Sequence, residues 1–241
     1  MAERRSARLV GRQIVAQALR TAWERAAVAG AIAPGDRRAR QFAAFGDGSL
    51  VAFPQGTIYN EGYIHLGAGT MVGPHVSLTA GMAPGQDMPT FPVIRIGDRC
   101  VIGRGSHVVA HWSVDIGDDV QTGPYVYITD QNHAYDDPAT PIGRQWPVER
   151  PVSIGKGSWI GAHAIVLPGA NVGCHVVVAA GAVVRGGVPD HCVVAGVPAR
   201  VVRRWSAVTG WVDVPDRESA ATAPGTGPAT GPVTAPSRLP Q

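Results

Sequence analysis

The stretch from Ile154 to Val188, IGKGSWIGAHAIVLPGANVGCHVVVAAGAVVRGGV, returns an aliphatic residue at every sixth position: Ile154, Ile160, Val166, Val172, Val178 and Val184. With aliphatic residues at roughly a fifth of the chain, six in register by chance is on the order of one in ten thousand. Small or β-branched residues fill the fifth position of each unit, at Ser158, Ala164, Ala170, Val176, Ala182 and Val188, while Gly155, Gly161 and Gly173 directly follow the large residue. A period of six is too long for strand alternation and matches no helical face. It suits a short strand followed by a sharp corner. Three such units close one triangular coil, in which the aliphatic residues point inward and stack on their counterparts one coil away. Glycine supplies the backbone freedom of the corner.

The repeat therefore predicts an all-β fold, a left-handed parallel β-helix of hexapeptide repeats, wound against the usual right-handed crossover rule. The same signal starts at Leu66, Val72 and Leu78, with Thr70 and Val76 in the small position. It breaks over Ala80–Pro92, resumes at Ile96, Ile102 and Val108, gains two residues before Ile116, and continues through Thr122 and Ile128. The longest break, DQNHAYDDPATPIGRQWPVERP at Asp130–Pro151, has no repeat; a loop of that length in a compact domain is usually functional. The expected organisation is a helical segment at 1–48, a β-helix domain at 49–205 with loops at 80–93 and 130–151, and a Pro/Thr/Ala/Gly-rich disordered tail at 206–241. Within the first segment, Val10, Ile14, Ala18 and Trp23 fall at helical spacing from about Ser6 to Gly30. That helix would pack on the end of the prism or on a neighbouring subunit, or lie on a membrane through its arginines. Asp36 would cap a short second helix through Phe42 and Phe45.

A chain of 241 residues can bury one substantial core. Its net charge of +3 is scattered rather than gathered into an aromatic-interleaved stripe, which argues against nucleic acid and favours an anionic small molecule. Cys100, Cys174 and Cys192 show no metal-ligand spacing and read as reduced thiols, which points to the cytoplasm. No apolar run reaches membrane-spanning length.

The register, the loop leaving after Ile128 with His133 near its base, the IGxxxWIG resumption at Ile154–Gly161 and the closing AGVPARVV at Ala195–Val202 together resemble the hexapeptide-repeat acyltransferases. The likeness, which covers roughly Ile96 to Arg204, is in particular to the sugar O-acetyltransferases of galactoside, maltose and capsular or colanic acid type. It implies a homotrimer with each active site between two subunits, transfer of an acetyl or succinyl group from acyl-CoA to a sugar, oligosaccharide or glycolipid hydroxyl, and no need of a metal. A sugar hydroxyl has a very high pKa, so a base must take its proton as it attacks the thioester. His133 matches the family's catalytic histidine, and imidazole is tuned for that task. Asp130 and Asn132 are the neighbours available to hold its other nitrogen, although Asp130 could equally form the turn at the strand exit. The resemblance assigns the oxyanion-binding backbone amide to Ala162 and the pantetheine arm to Ala162 and Ala180. It puts the coenzyme A phosphates near Arg185, Arg200 and Arg203, whose guanidinium groups suit bidentate phosphate contacts. Trp159 matches a tryptophan beside the cofactor channel, or else packs at the subunit interface.

Where galactoside-type members place an acceptor-binding Asn and Asp, this chain has Gly103 and His111, so their acceptor does not transfer. Arg104, His107 and Tyr127 are rim candidates, and Arg104 or Arg144 would suit an acyl carboxylate, as in succinyl transfer. Two other readings share the fold: a nucleotide-sugar N-acyltransferase, and a zinc carbonic anhydrase of the γ type. The second needs paired histidines spaced one residue wider than His107 and His111.

Overall fold

A computed structural model of the chain describes residues 2–215, with side chains from Gly11 onward. Parallel strands wind into a triangular prism with three faces. The first face stacks Ala44–Phe45, Ile64–Leu66, Ile94–Ile96, Val114–Ile116, Val152–Ile154, Asn171–Val172 and Gly187–Val188. The second stacks Leu50–Val51, Met71–Val72, Val101–Ile102, Gln121–Thr122, Trp159–Ile160, Val177–Val178 and Cys192–Ala195. The third stacks Ile58–Tyr59, Ser77–Ala80, His107–Ala110, Tyr127–Thr129, Ile165–Val166 and Val183–Val184. Most strands are too short to persist alone and hold only because each coil hydrogen-bonds to the next.

The predicted ladders form the core. Leu66, Ile96, Ile116, Ile154 and Val172 stand in register inside the first face, and Leu78, Val108, Ile128, Val166 and Val184 inside the third, all buried. Each such side chain contributes about 1.5–3 kcal/mol by leaving water. Hydroxyls in the small position bridge coils instead of breaking the core. Ser158 Oγ donates to Gly173 O at 3.0 Å and accepts from Val176 N at 3.1 Å.

Three expectations change. The glycine after the large residue is needed for clearance rather than for a left-handed φ: a Cβ on Gly161 would lie 2.5 Å from the Ala180 amide nitrogen of the next coil. The left-handed corner residues come two places later, as at Gly157 (φ 68°) and His163 (φ 59°). Val188 pairs with Val172, so it takes the large position, not the small one. The last turn is two residues short, and, within the domain expected over 49–205, the next strand is Cys192–Ala195, whose Val194 pairs with Val178.

The boundaries change as well. The prism begins with Ala44–Phe45, one coil earlier than its first clear repeat, and among the described residues there is no second α-helix. Ala39–Gln41 forms a single 3-10 turn without a side-chain cap, Phe45 is in a strand, and the Asp36 carboxylate accepts from Ala33 N at 2.7 Å. At the other end Arg200–Ser206 turns back antiparallel on Cys192–Ala195 and pairs with Gly210–Asp213, so order extends beyond 206. The tail expected over 216–241 lies outside the described residues. The first helix, α1, spans Ala2–Gly30. Among its described residues, Trp23 and Gly30 meet the prism: Trp23 lies 6.1 Å from the Phe53 ring, and Gln55 Nε2 donates to Gly30 O. Ile14, Val15 and Leu19 remain exposed. No described helix is long and apolar enough to cross a membrane.

Candidate active site

The third face is bounded by two corners, and the two carry different parts of the predicted site. At the corner between the second and third faces, Gly161-Ala162-His163 sits over Ala179-Ala180-Gly181. Their ladder bonds are Gly161 N to Val178 O (2.7 Å), His163 N to Pro124 O (3.0 Å) and Gly181 N to Ala162 O (2.9 Å). Among the described hydrogen bonds the N–H groups of Ala162 and Ala180 have no acceptor, and neither residue is buried. Two amides one coil apart therefore point away from the ladder, which is what a carbonyl oxygen and an amide-containing arm need. His163 stacks on Tyr125 beside them, with ring centres 5.2 Å apart, and the Arg104 guanidinium lies 5.9 Å from the Tyr125 ring centre.

Trp159 stands on the outer surface of the second face, 55% exposed, in line with Val177, Val193 and Arg203. Arg203 Nε is 2.8 Å from Asp213 Oδ1, both groups well exposed. Arg200 pairs with Ala195 at the end of the prism, and its Nη1 donates to Ala199 O. Arg185 follows Val183–Val184 at the corner between the third and first faces, and Val183 is hydrogen-bonded to Gly196 and Ala199 of the closing segment that leads into Arg200. The structure thus gathers Trp159, Ala162, Ala180, Arg200 and Arg203 around the second face and its corner, with Arg185 at the other end of the strand that the closing segment covers.

The corner between the third and first faces carries His133. The long loop is not featureless: Gln131–Asn132 pairs antiparallel with Val148–Glu149, so a two-stranded ribbon forms its base. His133 leaves that ribbon exposed. At the tip Asp137 accepts from Ala139 N at 2.9 Å and from the Thr140 hydroxyl at 2.6 Å, and the hydroxyl bond holds its carboxyl below the usual range. Arg144 lies exposed on a short 3-10 turn of the same loop.

Asp130 belongs to the turn rather than to the imidazole. Fully buried, its carboxylate accepts from the backbone amides of His111 (2.9 Å), Trp112 (2.7 Å) and Ser113 (2.7 Å). Those three residues hold the two-residue gain noticed before Ile116, which leaves their amides outside the ladder and makes an anion-binding nest that Asp130 fills. Asn132 is exposed and pairs through its backbone with Val148. His111, at the position of an acceptor-binding Asp in galactoside-type members, is buried, with Nδ1 3.1 Å from Glu149 Oε1. His107 faces outward on the third face, 6.4 Å from the Tyr127 ring. Among the described residues no three His, Cys, Asp or Glu side chains converge as a metal site within the chain.

Sequence reasoning did not find the His111–Glu149 contact or the Tyr125–His163 stack. The stack had a signal, since both residues come three places after the inward residue of their coil. The contact had none.

Residues 93–129 and 151–185 match the family described as the hexapeptide repeat of succinyl-transferase. A putative lipopolysaccharide biosynthesis O-acetyl transferase of Escherichia coli is 33% identical over 167 residues, 66% of this chain and 81% of the relative. A probable acetyltransferase of Mycobacterium tuberculosis is 39% identical over 110 residues, which is 46% of this chain but only 37% of that protein. The match to the galactoside O-acetyltransferase of E. coli, at 33% identity, spans 46% of this chain and 53% of the relative. Among solved structures, a mutant of AntD, an N-acyltransferase from Bacillus cereus in complex with dTDP and coenzyme A, superposes with a TM-score of 0.62. That likeness, at 19% identity over 74% of this chain and 92% of that one, concerns the fold. The chain belongs to the hexapeptide-repeat acyltransferases.

Proposed function

We propose that the protein transfers an acetyl or succinyl group from coenzyme A to a hydroxyl of a sugar or glycan, in a homotrimer whose active sites lie between subunits. The observation that carries this reading is the division of the site. Unused amides of Ala162 and Ala180 lie at one corner of the third face and exposed His133 at the other. A single prism holds its corners apart, whereas a threefold assembly sets one subunit's His133 corner against its neighbour's Ala162 corner.

In that cleft a neutral His133 takes the acceptor O–H proton as the oxygen attacks the thioester carbonyl carbon. The carbonyl electrons move onto oxygen, where the Ala162 N–H donates to the oxyanion. The intermediate collapses with loss of the C–S bond, and the imidazolium returns its proton to the sulfur. The products are the ester and free coenzyme A. Arg200 and Arg203 are suited to its phosphates, and Arg104 or Arg144 to the carboxylate of a succinyl donor. Two of the three relatives matched in sequence are named for O-acetyl transfer, which favours a hydroxyl over the amine of an N-acyltransferase.

Calorimetry of coenzyme A binding to the protein and to the Arg200→Ala, Arg203→Ala double variant tests the donor side. Micromolar binding that weakens about tenfold or more in the variant is expected, since each lost charge-assisted contact is worth about 1.5–3 kcal/mol. Absence of binding to the unaltered protein would contradict the proposal.

A further inference from the structure

We infer that His111 is a positioning residue for the catalytic loop, acting through Glu149 on the ribbon that carries His133; this rests on His133 being the base. His111 is 2% exposed, and Nε2 has no hydrogen-bond partner among the described residues. Burying an imidazole with one nitrogen unpaired is unfavourable, and an aliphatic side chain would fill the same space without that cost. Stability of the prism therefore does not account for a histidine here. Its one described side-chain contact does: Nδ1 lies 3.1 Å from Glu149 Oε1. A carboxylate only accepts, so Nδ1 carries the proton and donates it.

Glu149 is opposite Gln131 in the ribbon, and Val148 is opposite Asn132, the residue before His133. The bond thus ties the returning strand of the loop to the fixed turn at His111–Ser113. That turn is itself held by three amides on Asp130, the residue from which the loop departs. Both strands of the ribbon are in this way referenced to one buried point. Without the His111 tie, two backbone pairs, the Thr129 hydroxyl beside Gln131 N (3.3 Å) and the Arg150 N to Asp130 O bond (2.7 Å) remain at the base, no described hydrogen bond holds the Glu149 side chain, and an exposed His133 gains freedom where placement within about an ångström decides the rate. His111 so reaches the acceptor only through the loop, unlike the Asp that the resemblance puts at this position.

The test compares His111→Asn, whose side-chain amide nitrogen can take the place of Nδ1, with His111→Leu, which donates nothing. Glu149→Leu is a third variant, at a partly exposed ribbon position that tolerates change if the buried site does not. The readout is thiol release from acetyl-CoA in the presence of a mixture of methyl glycosides. His111→Leu and Glu149→Leu should each lower kcat by about 30- to 100-fold with KM for acetyl-CoA within twofold, while His111→Asn stays within about fivefold of the unaltered protein. Backbone amides of 131–149 should exchange with deuterium faster in the two leucine variants and at the original rate in His111→Asn. Adding His111→Leu to His133→Ala should cost nothing more. Leucine variants within threefold of the original kcat, or an asparagine variant as slow as the leucine one, would overturn the inference while leaving His133→Ala inactive. Full activity of His133→Ala would instead remove the base assignment and this inference with it.

Discussion

The two corners that bound the third face are built from different material. Around Ala162 and Ala180 the chain stays in register, the side chains are small, and the features offered to a ligand are backbone amides set by the coils above and below. Around His133 the register is abandoned for a loop of more than twenty residues, and the features offered are side chains on a loop held by a ribbon, an aspartate-filled nest and one imidazole–carboxylate contact. A thioester and its pantetheine arm are constant partners, and a rigid repeating backbone suits them. An acceptor differs between family members, and a loop can vary without disturbing the prism.

This contrast can be broken or sharpened by substitution. The largest effect belongs to the side-chain corner: His133→Ala should reduce acyl transfer by about 10²- to 10⁴-fold, with coenzyme A affinity by calorimetry unchanged. At the backbone corner no side-chain removal should match that, but adding a single methyl group should be felt. Gly161→Ala sets a Cβ against the Ala180 amide nitrogen and should lower stability by about 1–3 kcal/mol in thermal unfolding, weakening coenzyme A binding in parallel. Asp213→Asn frees the Arg203 guanidinium from its 2.8 Å ion pair and should tighten coenzyme A binding a few-fold at low salt, the gain fading as salt rises. The smallest effect lies inside the prism. Burial pushes the Cys192 thiol up to about 11, so at pH 8 about one molecule in a thousand carries the thiolate. Raising an acid's pKa removes its anion at a given pH, so labelling of Cys192 should stay slow until the pH approaches that value.

The core was legible in the sequence because the physics repeats. Ile96, Ile116 and Ile154 announce themselves by period, and each lies buried where the period puts it. Legibility failed where the period did. A turn two residues short hid Cys192–Ala195 and misassigned Val188, and strands at Ala44–Phe45 and Ile58–Tyr59 were lost among Pro54, Gly56 and a coil with no full repeat. At the site, His133 is proposed on resemblance alone, and Asp130 was readable only as an alternative, which the nest of three amides resolves in favour of the turn. His111 and Glu149 meet across 38 positions because a loop folds back on its own base, and no local pattern encodes that distance.

The central claim is that each active site takes its base from one subunit and its donor corner from another. Subunit mixing tests it most directly: His133→Ala protein and Arg200→Ala, Arg203→Ala protein are unfolded together, refolded, and assayed for acyl transfer under conditions where each alone is inactive. In a randomly mixed threefold assembly about a quarter of the sites combine an intact base with an intact donor corner, so roughly a quarter of the original activity should return. No recovery in properly assembled mixed trimers would mean that each chain completes its own site, and the division between corners would be wrong.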